Sequence, residues 1–139
     1  MSVTETEIVD VPMGERERLV PILEKSFEGL YLWHSKRTLR SIELVRVART
    51  REGEDCGLIM LKMLKVGAGY VYYVAVLPKF RGRGIGGKLL DSAIAYFSGT
   101  SATDIYASVE HDNIESNILF GGRGFVRVDG PGRCVLAHP

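Results

Sequence analysis

The chain has 139 residues, 45% of them hydrophobic and 25% charged, with a formal net charge of +1. These are ordinary values for one globular domain, long enough to bury roughly two-thirds of the surface its unfolded chain exposes. So small a charge gives no electrostatic footprint for nucleic acid or an anionic membrane, and no apolar run approaches the ~20 residues of a membrane span.

The first seven residues are acidic and lack the apolar stretch of a signal peptide. The expectation is a soluble, cytoplasmic protein with a single domain over 1–139. A short strand is predicted over 7–11, then a helix over 15–27 with Leu19, Val20, Leu23 and Phe27 on one face. Pro21 should kink or delay that helix. Residues 28–33 read as an aromatic loop, with Ser35 as the N-cap of a short helix to about residue 42. Residues 42–50 and 56–64 are β-rich and joined by a charged turn; Gly67-Ala68-Gly69 then leads into a strand over 70–76.

A glycine loop follows, and then a helix whose stripe of Leu89, Leu90, Ala93, Ile94 and Phe97 should face the sheet. A strand over 104–110 comes next, making a right-handed crossover between parallel strands. Asn113 can cap a last helix that Gly121, Gly122 and Gly124 end. A closing hairpin is expected over 126–129 and 133–138 around Gly130-Pro131-Gly132. Its edge invites pairing with a second copy, so a homodimer is one expected assembly. Cys56 and Cys134 are far apart without metal-ligand spacing and read as buried thiols.

Strand, glycine loop and helix N-terminus in that order make an anion site, because bare N–H groups sit at the positive end of the helix dipole. Gly82, Gly84, Gly86 and Gly87 let a phosphate approach the main chain. Gly82-x-Gly84-x-x-Gly87 matches the dinucleotide fingerprint, but too little chain follows for a Rossmann sheet. Gly82-x-x-x-x-Gly87-Lys88 imitates a P-loop, yet Leu89 stands where a Mg²⁺-binding hydroxyl is needed.

Arg81-x-x-Gly84-x-Gly86, behind the strand end Ala75-Val76-Leu77-Pro78, resembles the acyl-CoA pyrophosphate loop of the GNAT N-acetyltransferase family. Asn113-x-x-Ser116-x-x-Leu119-Phe120-x-x-x-Gly124-Phe125 is similar to that family's last helix. The resemblance is close over 70–125 and holds in outline elsewhere. It implies an α/β (α+β) fold, a mixed central β-sheet flanked by helices, splayed where pantetheine inserts. It also implies transfer from acetyl-CoA, as co-substrate, to a primary amine by direct attack on the thioester, with no metal.

Under that resemblance, Val74, Ala75 and Val76 meet pantetheine, and the Val74 N–H polarises the thioester carbonyl. Arg81, Gly82, Arg83, Gly84, Ile85, Gly86 and Gly87 hold the pyrophosphate, with Asn113 and Phe120 completing the cofactor site. Phe120 replaces the tyrosine that protonates the departing thiolate in most relatives, leaving Ser116 or a water for that role. Ser108 stands where some relatives carry a basic glutamate; Glu110 is the first substitute and His111 the second. Tyr31, Trp33, Tyr72 and Tyr73 are expected to line the acceptor groove, though strand alternation should allow only one of Tyr72 and Tyr73 to do so.

Lacking an obvious strong base, the site favours an amine of low pKa. An α-amine, with pKa about 7.7–8.0, is roughly a tenth neutral at pH 7, whereas a lysine at ~10.4 costs about 4–5 kcal/mol to deprotonate. A protein or peptide N-terminus is therefore the expected acceptor. A small-molecule amine is the alternative. A nearly inactive acyl-CoA-binding module is the rival from another class, and a nucleotide-binding regulator ranks behind it.

Overall fold

Seven strands form one sheet: β1 (Thr6–Asp10), β2 (Leu44–Thr50), β3 (Asp55–Lys65), β4 (Ala68–Val76), β5 (Asp104–Val109), β6 (Val126–Arg127) and β7 (Cys134–His138). The computed structural model describes residues 5–65, 67–109, 114–128 and 134–138. Strand order is β1-β2-β3-β4-β5-β7-β6. Every pairing is antiparallel except β4 with β5, which are parallel. The helix α3 (Ile85–Ser98) makes the crossover between them. With α1 (Val20–Ser26), α2 (Gly29–Leu39) and α4 (Ile114–Gly121) added, this is the expected mixed sheet flanked by helices.

Two cores form on the two faces. On one, Leu89, Leu90, Ala93 and Phe97 of α3 pack with Phe120 and Phe125 against Ile59, Val71 and Ile105. On the other, Ile22 and Leu23 of α1 and Leu39 of α2 pack against Val45, Leu58 and Met60. Each fully buried side chain of this kind stabilises by about 1.5–3 kcal/mol. Between the strands of Cys56 and Cys134 lie β4 and β5. Cys56 is buried and its thiol donates to the Ala48 carbonyl at 3.1 Å.

The first helical stretch differs from the sequence expectation in a way Pro21 explains. A 3₁₀ helix over Met13–Leu19 precedes α1, and Pro21 falls at the start of α1, where its missing N–H breaks no helical bond. The expected aromatic loop is instead the start of α2, entered through Glu28 in extended conformation. Ser35 is no cap: it is fully buried inside α2, its hydroxyl donating to the Leu32 carbonyl at 2.8 Å.

Arg16, only 4% exposed, holds the far end of α2. Its guanidinium donates to Leu39 O at 3.0 Å and Ile42 O at 2.6 Å, and more weakly to Val11 O and Glu43 O. Those carbonyls include ones that a helix C-terminus leaves without an intrahelical partner. Burial lowers the Arg16 pKa, but a guanidinium stays charged at any ordinary pH.

A β-bulge in β4 shapes the site. Met60 pairs with Tyr73 while Leu61 pairs with Val71, so Tyr72 is the extra residue. It shifts the alternation by one, and Tyr72 and Tyr73 both pack on the α1/α2 face, with Val71, Val74 and Val76 on the other. The expectation that only one of these tyrosines could face the groove is thereby corrected. Just past the bulge the sheet opens. Pairing of β4 with β5 ends at Val71↔Ala107, while β5 continues to Val109 paired only with β7.

Candidate active site

The gap between β4 and β5 is lined by main-chain groups with no strand to pair with. Leu77 N–H donates to Cys56 O on β3 at 2.8 Å. Peptide groups alternate in direction along a strand, so the N–H groups of Val74 and Val76 face away from β3, into the gap. Arg81 Nε donates to Val76 O at 3.0 Å from that same side.

Beyond β4, Gly82 and Gly84 both adopt φ +79°, a conformation in which a Cβ would be strained. Gly84 is the N-cap of α3 and no side chain caps that helix, so its first-turn amides are open to a ligand. A groove of about 440 Å³ runs from the gap to this loop. Its walls include Val74, Ala75, Val76 and Arg81, every residue from 82 to 87 except Arg83, and Ser116 and Leu119 of α4. Arg83 instead lies over the Phe80 ring at 5.6 Å. Lys88 turns away from the loop and donates to Thr6 on β1, which removes the P-loop reading as well.

A second cavity of about 460 Å³ adjoins the first on the α1/α2 side. Ser26, Phe27, Val74 and Ser116 belong to the walls of both, so the two meet at Val74 and Ser116. Phe27, Tyr31 and Tyr73 form an aromatic cluster in the second cavity, with centroid separations of 4.9, 5.4 and 5.7 Å. Burial pushes the Tyr73 hydroxyl up, the Thr38 side chain opposing it only in part, so this phenol is neutral near pH 7. Tyr72 and Ser108 complete the wall. Glu24 and Glu28 outnumber Lys25 there, and Lys36 lies 3.3 Å from Glu24. With Lys36 counted the rim carries no net charge, and Glu28 is the carboxylate left outside that ion pair, available to a cationic amine.

Phe120 is 4% exposed, set edge-on against Phe125 at 4.9 Å, and it lines the second cavity rather than the cofactor groove where the sequence reading put it. Trp33 is a wall of neither. Helical geometry in α2 turns Tyr31 toward the cavity and leaves Trp33 half exposed, edge-on to His34 and under the Arg37 guanidinium at 5.4 Å. Arg40 and Lys36 are paired with Glu17 and Glu24. Glu110, His111 and Asn113 lie outside the described residues. Sequence reasoning missed Phe27, Glu24 and Glu28 as site residues. The four-residue spacing of Phe27 and Tyr31 is the one signal that could have found them, and the break between α1 and α2 hides it.

Residues 16–125 match the model of the Acetyltransferase (GNAT) family, and the chain belongs to that family: it is a GNAT N-acetyltransferase. No match is found among curated proteins. Solved structures share the fold at low identity. A PaiA N-acetyltransferase from Thermoplasma acidophilum in complex with coenzyme A is 16% identical, with a TM-score of 0.81 over 96% of this chain and 98% of that one. A GNAT acetyltransferase from Elizabethkingia anophelis with acetyl-CoA bound is 17% identical, with a TM-score of 0.77 over 96% and 97%. A chain of the NatC complex bound to Gag peptide and CoA is 20% identical, with a TM-score of 0.73 over 97% and 98%. Among the described residues no cluster of three His, Cys, Asp or Glu could hold a metal, and no helix is long and apolar enough to cross a membrane.

Proposed function

We propose that this chain, as one domain, acetylates the α-amino group of a peptide or protein, using acetyl-CoA as acetyl donor. The observation carrying this reading is the meeting of two cavities at Val74 and Ser116. One is a groove ending in an uncapped helix N-terminus, suited to an anion; the other is an aromatic cavity with Glu28 at its rim. Acetyl-CoA supplies the activated thioester. In the groove, the 82–87 loop and Arg81 hold its phosphates. Val74 N–H, facing the gap, would donate to the thioester oxygen and favour the charge that develops there. In the second cavity, Glu28 attracts the ammonium form, and the Phe27, Tyr31 and Tyr73 rings flank the side chain beside the amine. The α-amine's lower pKa suits a cavity whose walls carry no histidine among the described residues.

Ser116, a wall of both cavities, is positioned to protonate the departing thiolate in place of the tyrosine that Phe120 is not. Ser116→Ala is expected to lower kcat about 10- to 100-fold, a fraction of what general acid catalysis supplies. Adding Phe120→Tyr in that background is expected to restore much of the loss; rates measured under saturating acetyl-CoA check both.

The acceptor is tested by supplying acetyl-CoA with a free α-amine peptide, the same peptide Nα-blocked but carrying lysine, or spermidine. Thiol release and product mass are read. Acetylation of the free α-amine is the expected result. Product on spermidine or lysine alone would move the acceptor to another amine class. Acetyl-CoA binding without product would favour the acyl-CoA-binding module, which the buried, hydroxyl-free Phe120 otherwise suits.

A further inference from the structure

Removing a proton from the attacking amine calls for a group at the cavity wall and a route out to water. Of the rim carboxylates, Glu24 is already engaged by Lys36 at 3.3 Å, and Glu28 is placed to attract the ammonium. At the mouth of the β4–β5 gap the wall is Ser108, an exposed residue whose hydroxyl is hydrogen-bonded to the hydroxyl of the half-buried Tyr70. Tyr70 is itself no wall of the cavity. The register explains the pairing. Tyr70 lies opposite Tyr106 on β5, and Ser108 is two residues further along the same face. The last paired position, Val71↔Ala107, sits between them, so the two hydroxyls meet where the strands begin to part. The Tyr70 ring also lies tilted against that of Tyr72, a wall residue, with centroids 4.7 Å apart.

We propose that Ser108 and Tyr70 form a two-hydroxyl relay that carries the acceptor's proton from the filled cavity to solvent. A hydroxyl both donates and accepts, so a chain of two can pass a proton without either member holding a charge. As the nitrogen–carbon bond forms and the carbon–sulfur bond breaks, the nitrogen loses a proton to Ser108 Oγ. The Ser108 proton moves to the Tyr70 oxygen, the Tyr70 proton moves to water, and the electron pair of the broken bond leaves on the thiolate. With acetyl-CoA and acceptor in place, water is displaced from the cavity side of Ser108, while the half-buried Tyr70, no wall of the cavity, keeps its contact with solvent. Ser108 is the residue at the cavity wall; Tyr70 acts through it.

The relay rests on amine acetylation, not on the amine belonging to a peptide. It is tested by steady-state rates in mixtures of H₂O and D₂O, with a short peptide and with spermidine as acceptors. Ser108→Ala is expected to lower kcat about 10- to 100-fold with little change in acceptor KM, and Ser108→Thr to retain activity. Tyr70→Phe should lower kcat roughly tenfold. The double variant should be no slower than Ser108→Ala, because members of one unit are not additive. The wild-type rate should bow with D₂O fraction, as several protons in flight require, and bow less in Tyr70→Phe. Near-wild-type kcat in Ser108→Ala, additive losses, or a Glu28→Gln variant that alone abolishes the isotope effect would overturn the relay. Loss of the relay with wild-type turnover intact leaves amine acetylation standing; no wild-type turnover on either acceptor removes both.

Discussion

Val74→Pro is expected to lower kcat by about 10²–10³-fold, the loss that follows removal of one donor to a developing oxyanion. Proline deletes a single N–H and fixes φ near a strand value. The Val74 N–H faces the gap where β4 has lost its parallel partner, so the bond removed is no part of the β3–β4 ladder. This is the edge-like situation in which a strand tolerates proline. The fold should therefore survive while the chemistry fails. Val74→Ala is the control: it trims a half-buried side chain but keeps the N–H, and should stay within a few-fold of wild type. Stopped-assay kcat values with thermal melts on all three proteins separate the two effects. A Val74→Pro protein that melts like wild type and turns over like wild type would remove this N–H from the mechanism.

The largest stability loss is expected at Arg16, far from the chemistry. Arg16→Met keeps much of the apolar stem and deletes the guanidinium. Leu39 O and Ile42 O, buried and bonded to it at 3.0 and 2.6 Å, lose their donor. Leaving a buried polar group unsatisfied costs about 1–3 kcal/mol, so a total near 3 kcal/mol, or roughly 10 °C in Tm at this size, is expected. Arg16→Lys should recover little, since a point-like ammonium cannot span carbonyls that a planar fork reaches together. The functional trace should be selective. α2 carries Tyr31, so acceptor KM should rise while acetyl-CoA affinity, set by the 82–87 loop, changes less. Calorimetry and separate titration of the two substrates check this.

Some of this architecture was legible in the sequence because local chemistry dictates it. The φ of +79° at Gly82 and Gly84 is open to few residues but glycine, and a glycine cluster between an apolar strand and an apolar-striped helix has few other uses. The α3 stripe was legible for a similar reason: Leu89, Leu90, Ala93 and Phe97 recur at helical spacing and are all buried. The acceptor side was harder. A bulge carries no composition of its own, so nothing in Tyr70-Val71-Tyr72-Tyr73 announces that Tyr72 is the extra residue or that both tyrosines share a face. Ser35 has the chemistry of a helix cap, and only burial inside α2 directs its hydroxyl back to Leu32 instead. Trp33 is aromatic and near the site in sequence, but it lies about half a helical turn from Tyr31, so Tyr31 faces the cavity and Trp33 does not. The position of Arg16 depends on carbonyls 23 and 26 residues away, a distance at which no local pattern speaks.

The central claim is that the two cavities meeting at Val74 and Ser116 work as one site, with thioester and amine brought together there. The measurement that tests it most directly is the affinity of a bisubstrate ligand, a short peptide joined through its α-nitrogen and an acetyl bridge to the sulfur of CoA. Joining two groups that occupy adjacent cavities converts the second binding event into an intramolecular one, commonly worth 10²–10⁴-fold. Calorimetric titration should therefore find the conjugate at least about 100-fold tighter than CoA alone, with the gain lost when the same peptide is attached through its C-terminus. Equal affinity for the conjugate, the reversed conjugate and CoA would mean that the second cavity does not receive the acceptor.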